Sequence, residues 1–183
     1  MNKKFYTWDD VHAAATKIAL QMYKDNWRPD YIVGVTRGGL PLAVILSQML
    51  DVRMETLKVR LRDCKEGESC ETNCWMSEDA FGYVDVTERT NEYQRSDVYN
   101  KKNILIVDDI NDTGATFNWI INDWQTSCLP DDPNWNTVWG DNVRFAVMTE
   151  NLSSECGMVN YSYDEVDKKE NDVWLVYPWE YEK

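Results

Sequence analysis

Apolar residues in this chain follow two periodicities, and their alternation lays out an architecture. Val11, Ala14, Ala15, Ile18, Ala19 and Met22 recur at helical spacing up to Trp27, the pattern of a helix with one buried face. Thr7-x-x-Asp10 ahead of them reads as a capping box. After Arg28-Pro29-Asp30, the short apolar run Tyr31 to Val35 has the length and composition of a buried strand. Thr36-Arg37-Gly38-Gly39 then predicts a tight turn, with Pro41 in the first turn of a helix reaching Leu50.

Residues 53 to 60 alternate as a strand does, whereas 61 to 82 are polar, cysteine-bearing and without period, and read as a long loop. A short strand is expected at 83 to 86, before a polar segment running to Lys102. Ile104 to Val107 is a second buried-strand run, followed by the loop Asp108 to Thr116 and a helix to about Trp124. Beyond a linker with Pro130 and Pro133 lie a strand at Val143 to Met148, a polar tract, and an apolar segment from Val173 to Trp179. Strands alternating with helices imply an α/β fold: a mostly parallel central sheet flanked by helices, with ligands beyond the carboxyl ends of its strands. Both the Arg37 turn and the Asp108 loop sit at such ends.

With 183 residues, 43% of them hydrophobic, the chain can bury the core of one ordinary domain. Its 19 basic and 32 acidic residues leave a net charge of -13, which repels nucleic acid and anionic membranes. Any phosphate site must therefore be local. No apolar run approaches the roughly 18 residues that span a bilayer, and the N-terminus lacks the apolar stretch of a signal peptide; a cytoplasmic location is expected. Cys64, Cys70 and Cys74 lack Cys-x-x-Cys spacing and, with Cys128 and Cys156, make an odd total, so they read as incidental reduced thiols ahead of the alternative, a zinc or disulfide role for the close three. His12, the single histidine, falls at a non-apolar helix position, which leaves no Ser/His or Cys/His pair.

The Asp108 loop carries the chemistry. Gly114 lets backbone pass close to a ligand at a helix start, where the amides of residues 112 to 116 and the hydroxyls of Thr113 and Thr116 converge as donors for one phosphate. Asp108 and Asp109 would repel that phosphate unless a ribose diol or a Mg²⁺ ion lay between. Adjacent acids beside a phosphate nest spell a sugar phosphate.

Ile104 to Thr116, ILIVDDINDTGAT, resembles the 5-phosphoribosyl-1-diphosphate (PRPP) binding motif of type I phosphoribosyltransferases. Val33 to Leu40 looks like the diphosphate loop of that family, with Arg37 and Gly38 at the positions that meet diphosphate, and the tail Trp174 to Glu180 is similar to the hood of its purine-salvage members. The resemblance implies one type I phosphoribosyltransferase-like domain over residues 1–183, with a small hood from about 150–183 and a mobile loop or insertion at about 61–100. It implies transfer of a 5-phosphoribosyl group to a nucleobase, a homo-oligomer (dimer or tetramer), and Mg²⁺ held by Asp108 and Asp109. PRPP would be bound by Arg37, Gly38, Gly39, Asp108, Asp109, Asp112, Thr113, Gly114, Ala115 and Thr116, with Asp112 also the catalytic proton handler and Trp174 stacking on the base. Arg60, Arg62, Arg89 and Arg95 are available to meet diphosphate on closure.

Aspartate at position 112 favours a 6-oxopurine acceptor within that family. Against this, Thr149-Glu150-Asn151-Leu152 stands where such enzymes carry a base-reading lysine, and nothing in the sequence aligns Lys168 or Lys169 with that role. Two other readings compete: a regulatory protein of the same fold that binds PRPP or a nucleotide without catalysis, and, further off, a receiver or aspartate-nucleophile phosphatase suggested by Ile-Leu-Ile-Val-Asp-Asp. Receivers place that pair on their first strand and the phosphatases need Asp-x-Asp, neither of which holds here.

Overall fold

A computed structural model describes residues 2–61, 70–83 and 100–180. Five parallel strands form the central sheet: β2 (Tyr31–Thr36), β3 (Arg53–Lys58), β4 (Ile104–Asn111), β5 (Val143–Asn151) and β6 (Val159–Val166), in the order β3-β2-β4-β5-β6. From β2 the chain steps outward to β3, then returns to the other side of β2 to lay down β4. The order reverses between β2 and β4, and the crevice at such a switch point is where open α/β sheets bind ligands.

The helices explain why β2 and β4 read as unbroken apolar runs. Helices α1 (Trp8–Lys24) and α2 (Leu40–Leu50) cover one face, packing Val11, Ile18, Leu42 and Leu46 against Ile32, Leu105 and Val107. Helices α3 (Cys74–Phe81) and α4 (Ala115–Ser127) cover the other, with Met76, Phe81, Phe117 and Trp124 against Val33, Ile106 and Phe145. Strands buried on both faces cannot alternate. The Thr7–Asp10 capping box forms as the sequence predicts.

Three elements differ from expectation. Part of the expected loop at 61–82 is helix α3: the Asn73 side chain accepts from the Met76 amide, Gly82 closes the C-terminus at φ 80°, and Met76, Ala80 and Phe81 are buried. Caps and tertiary burial outweigh its weak period. The polar tract before Val173 contains β6, an edge strand that buries mainly Tyr161 and needs no apolar run. Residues 2–5 form β1 (Asn2–Phe5), paired in parallel with β7 (Val173–Val176) as a separate two-stranded sheet. The strand expected at 83–86, Cys64, and Arg62, Arg89 and Arg95 lie largely or wholly outside the described residues.

Candidate active site

Beyond the carboxyl ends of β4 and β6 opens a cavity of about 530 Å³. Asp108, Asp109, Asp112, Thr113, Gly114, Ala115, Thr116, Lys168, Trp174 and Tyr177 all line it. The structure thus brings together every expected site residue of the β4 loop with the expected base-stacking tryptophan. Arg37, Gly38 and Gly39 do not line this cavity; they press on it from the β2 end.

That pressure is visible at the two glycines. A Cβ on Gly38 would lie 1.9 Å from Asp109 Oδ2, and one on Gly39 would lie 2.2 Å from the Val107 carbonyl oxygen. At Gly39 the β2 turn and the β4 end are in backbone contact, and at Gly38 the Asp109 carboxylate occupies the space a side chain would need. Arg37 follows a cis Thr36–Arg37 peptide bond and is exposed to solvent.

Asp108 is buried and Asp109 half-buried, side by side. Burial pushes both carboxyls above the ordinary range; for Asp108 the neighbouring Asp109 charge adds to the rise, while amide hydrogen bonds partly offset it for Asp109. Two desolvated acids sharing one spot call for a cation or a set of hydroxyl donors. Among the described residues no group of three or more His, Cys, Asp or Glu side chains gathers to hold a metal. A pair of carboxylates suits an ion whose remaining ligands come from a substrate and water, which is how Mg²⁺ is usually held.

Past the acids, Gly114 takes the N-cap of α4 at φ 88°, with no side chain of its own to cap the helix and no acid in its first turn, and Thr113 Oγ1 accepts a long hydrogen bond from the Ala115 amide (3.4 Å). Residues 112 to 117 at this end line the cavity, and a helix N-terminus with its dipole behind it suits an anion. A Cβ at Gly114 would meet the Cys156 amide nitrogen at 2.5 Å, because the connection from β5 to β6 folds against the loop and braces it. Glu155 N–H donates to the Thr113 carbonyl (3.1 Å), Asn111 Nδ2 to the Cys156 carbonyl (2.8 Å), and Asn151 Nδ2 to the Asp112 carbonyl (2.7 Å). Such bracing holds the donors in place before any ligand arrives.

Sequence reasoning missed the arrangement of several residues in the cavity or next to it. Lys168 Nζ stands 2.9 Å from Asp112 Oδ1, although sequence spacing gave it no partner. Tyr177 is buried between the rings of Tyr6 and Trp179, each 5.1 Å away, and its hydroxyl lies within hydrogen-bonding distance of Thr149 Oγ1 (3.0 Å) and the Asp109 carbonyl (3.3 Å). Glu150 pairs in register with Asn111, whose Nδ2 donates to Oε1, while Oε2 is buried with no hydrogen-bond partner among the described residues. Burial pushes this carboxyl up to about 7. The side chains of Cys70, Cys74, Cys128 and Cys156 are free thiols, none of them lining the cavity.

Solved structures share this fold. A purine phosphoribosyltransferase from Pyrococcus horikoshii superimposes with a TM-score of 0.62 at 23% identity, over 100% of this chain and 97% of that one. The Helicobacter pylori xanthine-guanine-hypoxanthine phosphoribosyltransferase gives 0.63 at 16% identity, over 98% and 94%. Residues 2–125 match the model of the phosphoribosyl transferase domain, and the chain belongs to that family. Among curated relatives, the hypoxanthine-guanine phosphoribosyltransferase of Schizosaccharomyces pombe is 22% identical, covering 96% of this chain and 88% of that protein. Xanthine phosphoribosyltransferase 1 of Saccharomyces cerevisiae is 23% identical, covering 99% and 91%.

Proposed function

We propose that this protein transfers the 5-phosphoribosyl group of PRPP to a ring nitrogen of a 6-oxopurine, releasing diphosphate. One observation carries the reading: an acid pair with one member buried and one half-buried, a helix N-terminus, Asp112 and Trp174 share one cavity at the switch point of the sheet.

Each group has a task in that reaction. The amides and hydroxyls of residues 112 to 116 anchor the 5′-phosphate, so that binding energy remote from C1′ positions the reacting carbon. Asp108 and Asp109 take the ribose hydroxyls and would hold Mg²⁺, which when bound neutralises charge on the diphosphate. Arg37 and the amides of Gly38 and Gly39 meet the diphosphate as it departs with the electron pair of the C1′–O bond. The incoming base nitrogen forms the new C1′–N bond, Asp112 receives the proton the purine sheds at N7, and Trp174 stacks on the ring. The hood, expected from about residue 150, is in this reading narrower: β7 and the tail after it, together with β1, because β6 belongs to the central sheet.

The test is an assay with radiolabelled PRPP and Mg²⁺ against hypoxanthine, guanine, xanthine, adenine, uracil and orotate, run beside Asp112→Asn. Turnover is expected with a 6-oxopurine and should drop by about 10²- to 10⁴-fold in the variant, the range for loss of a positioned proton acceptor. PRPP binding without turnover on any base would overturn the reading in favour of a regulatory binder.

A further inference from the structure

β7 carries Trp174 and has one strand neighbour among the described residues, β1. Two strands alone are marginally stable, so the place of this small sheet beside the cavity depends on side-chain ties to the larger one. The ties of β1 converge on one spot. In sheet register Asp164 of β6 lies beside Thr149 of β5, and the hydroxyl of Tyr6, the residue after β1, lands between them. It donates to Asp164 Oδ2 at 2.6 Å and accepts from Thr149 Oγ1 at 3.0 Å. Lys4 forms an ion pair with the same Asp164 oxygen. Burial works against a charge on Asp164, but hydrogen bonds from Lys4 and Tyr6 outweigh it and hold the carboxyl below its ordinary range. From β1 the hold passes to β7: Lys4 pairs with Leu175, the Tyr6 amide donates to the Val176 carbonyl at 2.9 Å, and the Tyr6 ring stacks on that of Tyr177.

Building on the function proposed above, we infer that Asp164 is a positioning residue that holds the base-stacking strand against the central sheet, so that replacing it loosens the purine and leaves PRPP in place. Asp164 does not line the cavity, so its effect on a ligand has to pass through β1 to β7. The acid pair and the helix N-terminus lie off that route: they belong to β4 and α4 and are braced by the connection from β5 to β6. Tyr177 keeps its own hydrogen bond to Thr149 (3.0 Å) whatever stands at position 164. An ionised carboxylate accepts the ammonium and the phenol as charge-assisted hydrogen bonds, about twice as strong as neutral ones. Losing such a tie is worth about tenfold or more in a local equilibrium. Side chains 42% and 26% exposed, as Lys4 and Asp164 are, bring that down through screening.

Steady-state kinetics and amide hydrogen exchange on wild type, Asp164→Ala, Lys4→Glu and the exchanged pair Lys4→Glu/Asp164→Lys test this. Asp164→Ala should raise KM for the purine about 3- to 10-fold and change KM for PRPP by less than about twofold. Exchange in a peptide covering residues 173–176 should quicken by about the same factor, with the central strands unchanged. Lys4→Glu, which sets two carboxylates face to face, should act alike, and the exchanged pair should return both readings toward wild type. A loss of stability alone would shrink the active fraction and lower the apparent kcat while moving neither KM. Equal rises in the two KM values, unchanged exchange at 173–176, or no rescue by the exchanged pair would overturn the inference. Wild type that transfers to no purine would sink the phosphoribosyltransfer reading and the base-binding claim with it, whereas the exchange measurement would still decide whether Asp164 holds the strand.

Discussion

A methyl group at position 39 measures how tightly the two ligand loops are joined. Gly39 sits at φ −71°, open to any residue, so Gly39→Ala adds no backbone strain and acts by contact alone. Its Cβ would lie 2.2 Å from the Val107 carbonyl oxygen and 2.8 Å from the Asp108 Cα, both backbone atoms that no rotamer change can clear. Raising 2.2 Å even to the 3.0 Å floor of real Cβ contacts separates the loops by 0.8 Å. A misplacement near 1 Å costs on the order of 10²-fold in rate, and overpacking costs about 1–3 kcal/mol of stability, or roughly 2–12 °C in Tm for a chain this long. Steady-state kinetics with PRPP and a purine should thus show kcat/KM falling about 100-fold. Gly157→Ala is the control, because its Cβ would meet nothing within 4 Å. Gly39→Ala activity within about threefold of wild type would show that the loops move freely past each other and refute the argument.

Two further outcomes are expected. Glu150, held up to about 7 by burial, binds a proton in the folded state that the unfolded chain has already lost, so stability falls as pH rises from the unfolded carboxyl value near 4.5 to about 7 and stays low above it. The half-exposed site screens the effect; Glu150→Gln should gain about 1–2 kcal/mol at pH 8 and nothing near pH 4.5, and denaturant melts giving one offset at both pH values would contradict this. Tyr177→Phe keeps the ring stack but removes the hydroxyl near the Asp109 carbonyl; kcat/KM for PRPP should drop about 2- to 10-fold, and an unchanged value would mean that the contact positions nothing.

The central sheet was legible because strands buried on both faces have no choice but to be apolar, and the β4 loop because its donors are consecutive in sequence. What stayed hidden was assembled across the chain. Lys168 meets Asp112 only because Asn151, at the end of another strand, ties both segments together. Glu150 and Asn111 are ordinary polar residues until sheet register sets them opposite each other. β1, Asn-Lys-Lys-Phe, has no intrinsic reason to be a strand and is ordered by β7. For β6 the period-two signal at Val159, Tyr161 and Tyr163 was present but diluted by polar neighbours, as an edge strand permits. Helix α3 carried its caps in plain view at Asn73 and Gly82; its short apolar face was too weak to outweigh the polar stretch around it.

The pairing of Asn2 with Val173 and of Lys3 with Trp174 has a consequence for how the protein is made. During synthesis, β2, α2, β3 and β4 can leave the ribosome and begin to associate long before β7 exists. The acid pair and the helix N-terminus that line the cavity are encoded by residue 116, whereas Trp174 arrives almost sixty residues later, on a strand whose partner was translated earlier and has waited unpaired. Closing so long a loop is entropically slow. A nascent chain can therefore hold the proposed sugar-phosphate site before it holds the proposed site for a base.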